Sequence, residues 1–177
     1  MNRIRSAVVF SLAAALGACA HHRTPPPTAA PTPREPSAAE RYAALPDTSV
    51  CVVDRSTSRG LRTLPAKRDA GGHVVVLASG AIRPLSDVHP VDATAGYAGR
   101  ETWLTRGAPI TVDGRAYVKV GGERLVPLDQ VQRVGDYAAV PVFASPSDTR
   151  PPKAVYVPVR PGCVFQAYVR QDLVSGS

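Results

Sequence analysis

From Cys51 to Val169 the chain is a succession of short valine-rich runs cut by Gly, Pro and Asp, and no stretch of it sustains an apolar repeat of helical period. That texture restricts the fold to short antiparallel strands joined by tight turns, an all-β domain. Its clearest part is Ile110-Thr-Val112, Asp113-Gly114, Arg115 to Val120, Gly121-Gly122 and Glu123 to Val126. Asp-Gly and Gly-Gly supply the positive φ angles of two-residue hairpin loops, so the pattern predicts a three-stranded meander. In the middle strand Ala116, Val118 and Val120 share one face, Tyr117 and Lys119 the other, and one of the two is buried. Farther on, Val140–Ala144, Ala154–Val159 and Cys163–Val169 read as strands, joined by a polar connector from Ser145 to Lys153 and by the turn Arg160-Pro-Gly162. Pro141 and Pro158 lack amide protons, which predicts edge strands or strand ends there.

A shift of 43 residues superimposes Gly71, Val75, Pro84, Leu85, Val88 and Val91 on Gly114, Val118, Pro127, Leu128, Val131 and Val134, the mark of a structural repeat. The closing patterns Ile82-Arg-Pro-Leu-Ser-Asp-Val88 and Leu125-Val-Pro-Leu-Asp-Gln-Val131 resemble the end of SH3-like barrels, where a Pro-led single turn of 3₁₀ helix leads into the last strand. The resemblance implies two SH3-like repeats. The acidic loop and clustered aromatics with which SH3 domains grip proline-rich peptides are absent from the sequence, so fold would not carry that function.

Upstream of this region the chain changes character twice. Residues 1–18 have Arg3 and Arg5 as a positive start, an apolar run from Ala7 to Leu16 and small residues before Cys19, the three parts of a signal peptide. The run is shorter than the roughly 20 residues of a transmembrane helix. Leu16-Gly17-Ala18-Cys19 resembles the lipobox of bacterial lipoproteins. The resemblance implies a diacylglyceryl thioether on Cys19, cleavage before it and acylation, palmitate included, of the new amino group. The alternative is ordinary secretory cleavage near Ala18-Cys19-Ala20. In the lipoprotein family Asp after the Cys often signals retention in the inner membrane. Ala20 therefore points to the outer membrane, facing the periplasm.

Residues 20–36 contain six prolines and almost no apolar bulk. Such a segment populates extended polyproline II and reaches roughly 50 Å at about 3.1 Å per residue, a stalk between bilayer and domain. His21-His22 lacks the further ligands a metal site needs, so no metal is assigned. Ser37-Ala-Ala-Glu40 matches a capping box, and Pro46 stops the short helix it begins, which either frays or docks through Tyr42 and Leu45. The expected organisation is a signal peptide (1–18), a lipidated Cys with linker and short helix (19–47), a β-rich domain (48–172) and a disordered tail (173–177).

Three cysteines occur in the chain. If Cys19 carries lipid, Cys51 and Cys163 remain in an oxidising compartment and pair as a disulfide that closes a loop of more than 100 residues. The chain-entropy model values such a closure at about 4 to 5 kcal/mol. Two free thiols, or one reactive thiol with a partner base, are the alternative.

Removal of residues 1–18 leaves 19 basic against 14 acidic residues, a formal charge of +5. Arg55, Arg59, Arg62, Lys67 and Arg68 form the most basic run, suited to an anionic envelope polymer such as peptidoglycan or lipopolysaccharide, or to a solvated loop face. Export and the lack of any recognised motif argue against nucleic acid. Gly-x-Ser-x-Gly and His-Glu-x-x-His are both absent, and no cofactor is implied. Asp87 and His89, with Ser79 or Ser86 nearby, are the nearest thing to a hydrolase set. Trp103 suits either stacking on a sugar ring or a place in the core. The sequence thus predicts a membrane-anchored envelope lipoprotein with a noncatalytic binding or assembly role, toward peptidoglycan, lipopolysaccharide or another envelope protein. A hydrolase of envelope polymers and a structural tether are the alternatives.

Overall fold

The computed structural model describes residues 33–174. The signal segment, Cys19, most of the proline-rich stretch and Ser175–Ser177 lie outside the described residues. The capping box forms as the sequence predicts. Ser37 Oγ accepts from the Glu40 amide at 3.2 Å, Glu40 Oε2 accepts from the Ser37 amide at 2.6 Å, and helix α1 (Ala38–Ala43) follows. Tyr42 and Leu45 are half-buried, and the Lys67 ammonium, 5.9 Å from the Tyr42 ring centroid, donates to the Ala43 carbonyl at 3.3 Å. The helix is thereby held against the first sheet.

That sheet is an antiparallel meander of β1 (Asp47–Val53), β2 (Leu61–Arg68), β3 (Val74–Ala78) and β4 (Ala81–Pro84), in chain order. β1 and β2 pair from Asp47 opposite Lys67 to Val53 opposite Leu61, whereas β2 and β3 share only two pairs. Ser79 and Gly80, both at positive φ, turn β3 into β4. Val50, Val52, Ala66, Val76 and Leu85 form the apolar cluster of this sheet. Pro84 leads into the single turn α2 (Leu85–Val88).

The connection to the second sheet is fixed by its own side chains. Asp92 accepts from the Thr94 and Ala95 amides and caps a 3₁₀ turn at Ala93–Ala95. The next residues, Tyr97 and Ala98, are buried. α3 (Thr102–Thr105) then carries Trp103 edge-on to Tyr137 at 5.0 Å, packed on the core rather than presented to a sugar.

The second sheet holds β5 (Ile110–Val112), β6 (Arg115–Leu125), β7 (Gln132–Tyr137), β8 (Val140–Ala144), β9 (Ala154–Arg160) and β10 (Val164–Arg170), in the order β5-β6-β10-β9-β8-β7. It curls until β7 approaches β5. A Cβ placed on Gly135 would lie 3.7 Å from Val112 Cγ1, so the sheet is nearly a barrel. Ile110, Val112, Tyr117, Val142, Val157 and Tyr168 are among the side chains that fill its interior. Phe143, Tyr156 and Phe165 project from the same strands toward Val53 and Leu61 of the first sheet. Every residue of β8 is consequently buried.

Cys51 and Cys163 form the disulfide that the cysteine count implies, with Cα atoms 5.1 Å apart and a sequence separation of 112. It ties β1 to the turn that opens β10. Around it the Gly162 amide donates to the Cys51 carbonyl at 2.7 Å, and the Val126 amide to the Cys163 carbonyl at 3.1 Å.

Several sequence expectations change in the folded chain. Gly121-Gly122 is not a hairpin turn: β6 runs through it unbroken, and the two glycines form a bulge, since Val120 pairs with Ala167 and Glu123 with Gln166. Gly121 does adopt positive φ, the property the sequence displays, but Gln166 supplies the reason. Its buried Nε2 donates to the Val120 and Gly121 carbonyls at 2.8 and 3.3 Å. The buried face of β6 is that of Tyr117, while Ala116 is exposed and Val118 only half-buried.

Pro141 and Pro158 do not mark edges, because β8 and β9 are inner strands. They are tolerated because the β8–β9 ladder is reduced to one registered pair, Phe143 opposite Tyr156. Beyond it the Pro158 and Val159 carbonyls accept from the Ala98 and Gly99 amides.

The 43-residue echo is a repeat of local conformation. Pro84 (φ −54°, ψ 142°) and Pro127 (φ −56°, ψ 147°) both head a single helical turn, yet only the second turn leads into a strand, β7. The two sheets differ in strand number and order. At the C-terminal end α4 (Gln171–Val174) includes Leu173 and Val174, which the sequence assigns to a disordered tail.

Candidate functional site: a charged cleft between the sheets

The turn from Asp54 to Gly60 is rigid. The Asp54 carboxylate accepts from the Ser56 amide at 3.0 Å, from Ser56 Oγ at 2.5 Å and from Arg62 Nε at 2.8 Å, and the Asp54 amide donates to the Gly60 carbonyl. The Ser56 hydrogen bonds, and after them the Arg62 charge, hold the Asp54 carboxyl below its usual range. At its far end Gly60 (φ +74°) seats the turn on the second sheet. A Cβ there would lie 3.1 Å from Phe143 Cζ and 3.2 Å from Arg133 Cδ.

This seating opens a cleft of about 430 Å³ between the β1–β2 turn and the start of β7, with Arg59 on one wall and Leu128, Asp129, Val131 and Arg133 on the other. The opposite wall is set by Pro127, whose turn at Leu128–Gln130 projects Asp129 outward and returns the chain through buried Val131. Arg133 lays its stem along Gly60 and gives Nη2 to Asp136 at 2.6 Å. Arg59 and Asp129 carry opposite charges on this one cleft, and among the described residues neither has an ion-pair or hydrogen-bond partner. Leu128, Val131 and Pro146 add apolar surface.

The basic run does not assemble into one patch. Arg55 Nη2 is bound to the Ala93 carbonyl at 2.5 Å and to the Ala139 carbonyl, so it ties the connection and the β7–β8 turn to the first sheet. Arg62 is paired with Asp54, Lys67 with Asp47 at 2.8 Å, and Arg68 Nη1 donates to the Gly72 carbonyl at 3.0 Å. Arg59 alone of the five faces the cleft. Its companions there, Asp129 and Arg133, lie some 70 positions away, and no local sequence pattern marks them.

Of the hydrolase candidates only Ser86 and Asp87 are joined by a contact, and among the described residues no hydrogen bond links His89 to either. Asp87 is exposed and its hydrogen bond comes from Ser86 Oγ at 3.4 Å, while Ser79 lies in the β3–β4 turn. His89 is half-buried. Burial first, and then the Arg62 charge, press its pKa below the usual value, with Asp54 opposing. No three of His, Cys, Asp and Glu converge on a metal-binding arrangement among the described residues.

No helix among the described residues is long and apolar enough to cross a membrane. Comparison with protein-family models, with characterised proteins and with solved structures returns no significant match.

Proposed function

We propose that this protein is a membrane-anchored envelope lipoprotein, lipidated on Cys19 and facing the periplasm from the outer membrane, whose domain binds or assembles rather than catalyses. The observation that carries the reading is the accounting of cysteines. The Cys51–Cys163 disulfide suits an oxidising compartment and leaves, of three cysteines, the one in the lipobox-like Leu16-Gly-Ala-Cys19. Several acyl chains there give stable attachment, since each buried CH₂ is worth about 0.8 kcal/mol. The binding role is supported by the charged cleft.

Metabolic labelling with palmitate followed by fractionation tests it. The native chain is expected to carry label and sediment with outer membranes, and Cys19→Ser to lose the label and appear in the soluble periplasmic fraction. Unlabelled native protein in the soluble fraction would sink the proposal. Crosslinking in cells and identification of the captured partners separates the binding role from that of a tether, which shortening residues 20–36 alone would impair.

A further inference from the structure

We infer that the cleft between the sheets takes a zwitterionic ligand, the free-ended backbone of a short peptide, with its carboxylate against Arg59 and Arg133 and its ammonium toward Asp129. The inference rests on the envelope location proposed above for the source of such peptides, but on the geometry alone for their chemistry. Arg133 is already half satisfied by Asp136, so the cleft holds one guanidinium that has no partner among the described residues, Arg59, and one that is shared. A guanidinium fork matches a carboxylate in a bidentate arrangement. Asp129, beside Arg133 and across from Arg59, offsets that charge and makes the cleft a poor host for a dianion such as phosphate. The same acid offers an ammonium group the partner that no described residue gives it. Leu128 and Pro146 present apolar surface in the same cleft for small aliphatic side chains. About 430 Å³ accommodates two or three residues of that size.

The choice of a peptide over a sugar phosphate comes from this pairing of opposite charges within one cleft. A lipopolysaccharide phosphate would meet Asp129 as a like charge. Arg59 and Asp129 are both exposed and hold no other part of the fold, so each can be replaced without disturbing the Asp54–Gly60 turn.

Isothermal titration of the purified mature lipidated chain in detergent micelles is the test. The probes are Ala-Ala-Ala with free ends, its C-terminal amide, its N-acetyl form and inorganic phosphate, each to about 1 mM, the weak end of specific binding. The free tripeptide is expected to bind, the amide at least about tenfold more weakly, the N-acetyl form several-fold more weakly, and phosphate not measurably. Arg59→Gln should abolish the preference for the free carboxylate, and Asp129→Asn the preference for the free amine. No binding of the free tripeptide, phosphate binding as tight as the tripeptide, or unchanged affinities in Arg59→Gln would each overturn the inference. Two further arms identify the source: retention by intact cell-wall sacculi, lost in Arg59→Gln, assigns the wall's stem peptides. Tripeptide binding without retention assigns free peptides. Palmitate labelling at Cys19 reads the anchor separately, so failure here leaves that reading standing.

Discussion

The Tyr97 phenol oxygen accepts a hydrogen bond from the Val53 amide at 2.9 Å, which fastens the connection between the two sheets to the last residue of β1. The ring is buried among Val53, Leu61, Phe143 and Phe165, where both sheets meet.

Burial pushes the Tyr97 pKa up to about 12, and that of Tyr168 likewise. A phenol in an unfolded chain titrates near 10. The neutral form is therefore favoured by the fold, so its stabilisation is complete below pH 10 and is lost as pH rises from 10 toward 12. Tyr97→Phe should show a shallower alkaline decline. At pH 7 it should cost about 1 to 3 kcal/mol because the Val53 amide loses its acceptor. Urea unfolding at pH 7, 9 and 11 checks both; identical pH profiles for the two proteins would refute the assignment.

Replacing either Cys51 or Cys163 by Ala should cost about 4 to 5 kcal/mol by the chain-entropy relation. The double replacement should cost no more than the larger single one, because each single change already removes the whole bond. Denaturant titration of the three variants, with and without reductant, gives the comparison, and additive losses would contradict it.

Gln166 is a buried polar side chain of the core, and its amide serves three carbonyls, those of Val120, Gly121 and Ala167. Gln166→Leu should destabilise by about 1 to 3 kcal/mol through unsatisfied carbonyls at the bulge. Gln166→Glu should do worse at neutral pH, since a carboxylate would face the same oxygens. Its folded pKa would be raised, so stability should recover as pH falls. A Glu variant no less stable than the Leu variant at pH 7 would count against this account of the bulge.

Two glycines without positive φ separate close approach from open space. At Gly99 a Cβ would come within 2.5 Å of Val91 Cγ1 and 2.6 Å of the Val159 carbonyl oxygen, whereas at Gly122 it would meet nothing within 4 Å. Gly99→Ala should therefore lower the thermal midpoint by an amount equivalent to about 1 to 3 kcal/mol or more, and Gly122→Ala should leave it nearly unchanged. Thermal melts of the two variants decide the matter.

What could be read from the sequence was local chemistry. The capping box at Ser37 and Glu40, the Asp113-Gly114 turn, the strands after Val140 and the cysteine pairing each follow from a few residues, and the structure bears them out. Misreadings arose where one local signal serves two architectures. Positive φ at Gly121 fits a hairpin and a bulge equally, and only the partner strand carrying Gln166 decides between them. Pro141 and Pro158 speak of missing amide protons, but whether a neighbour needs those protons depends on how far β8 and β9 splay. The basic run fails as a patch for the same reason, because the folded chain supplies Asp47, Asp54 and backbone carbonyls to four of its five members. The cleft joins a turn near residue 59 to another near 129, a juxtaposition that exists only once both sheets are packed.

The disulfide also sets how the domain answers a mechanical load. A pull on the chain ahead of β1 meets Cys51 after four residues of that strand and passes through sulfur to Cys163 at the mouth of β10. The residues between them, 52–162, lie off the line of force. Strands β2 to β9, and the cleft they frame, are thus shielded from extension so long as the bond stays oxidised. Chemical reduction would put the whole span in series with the load.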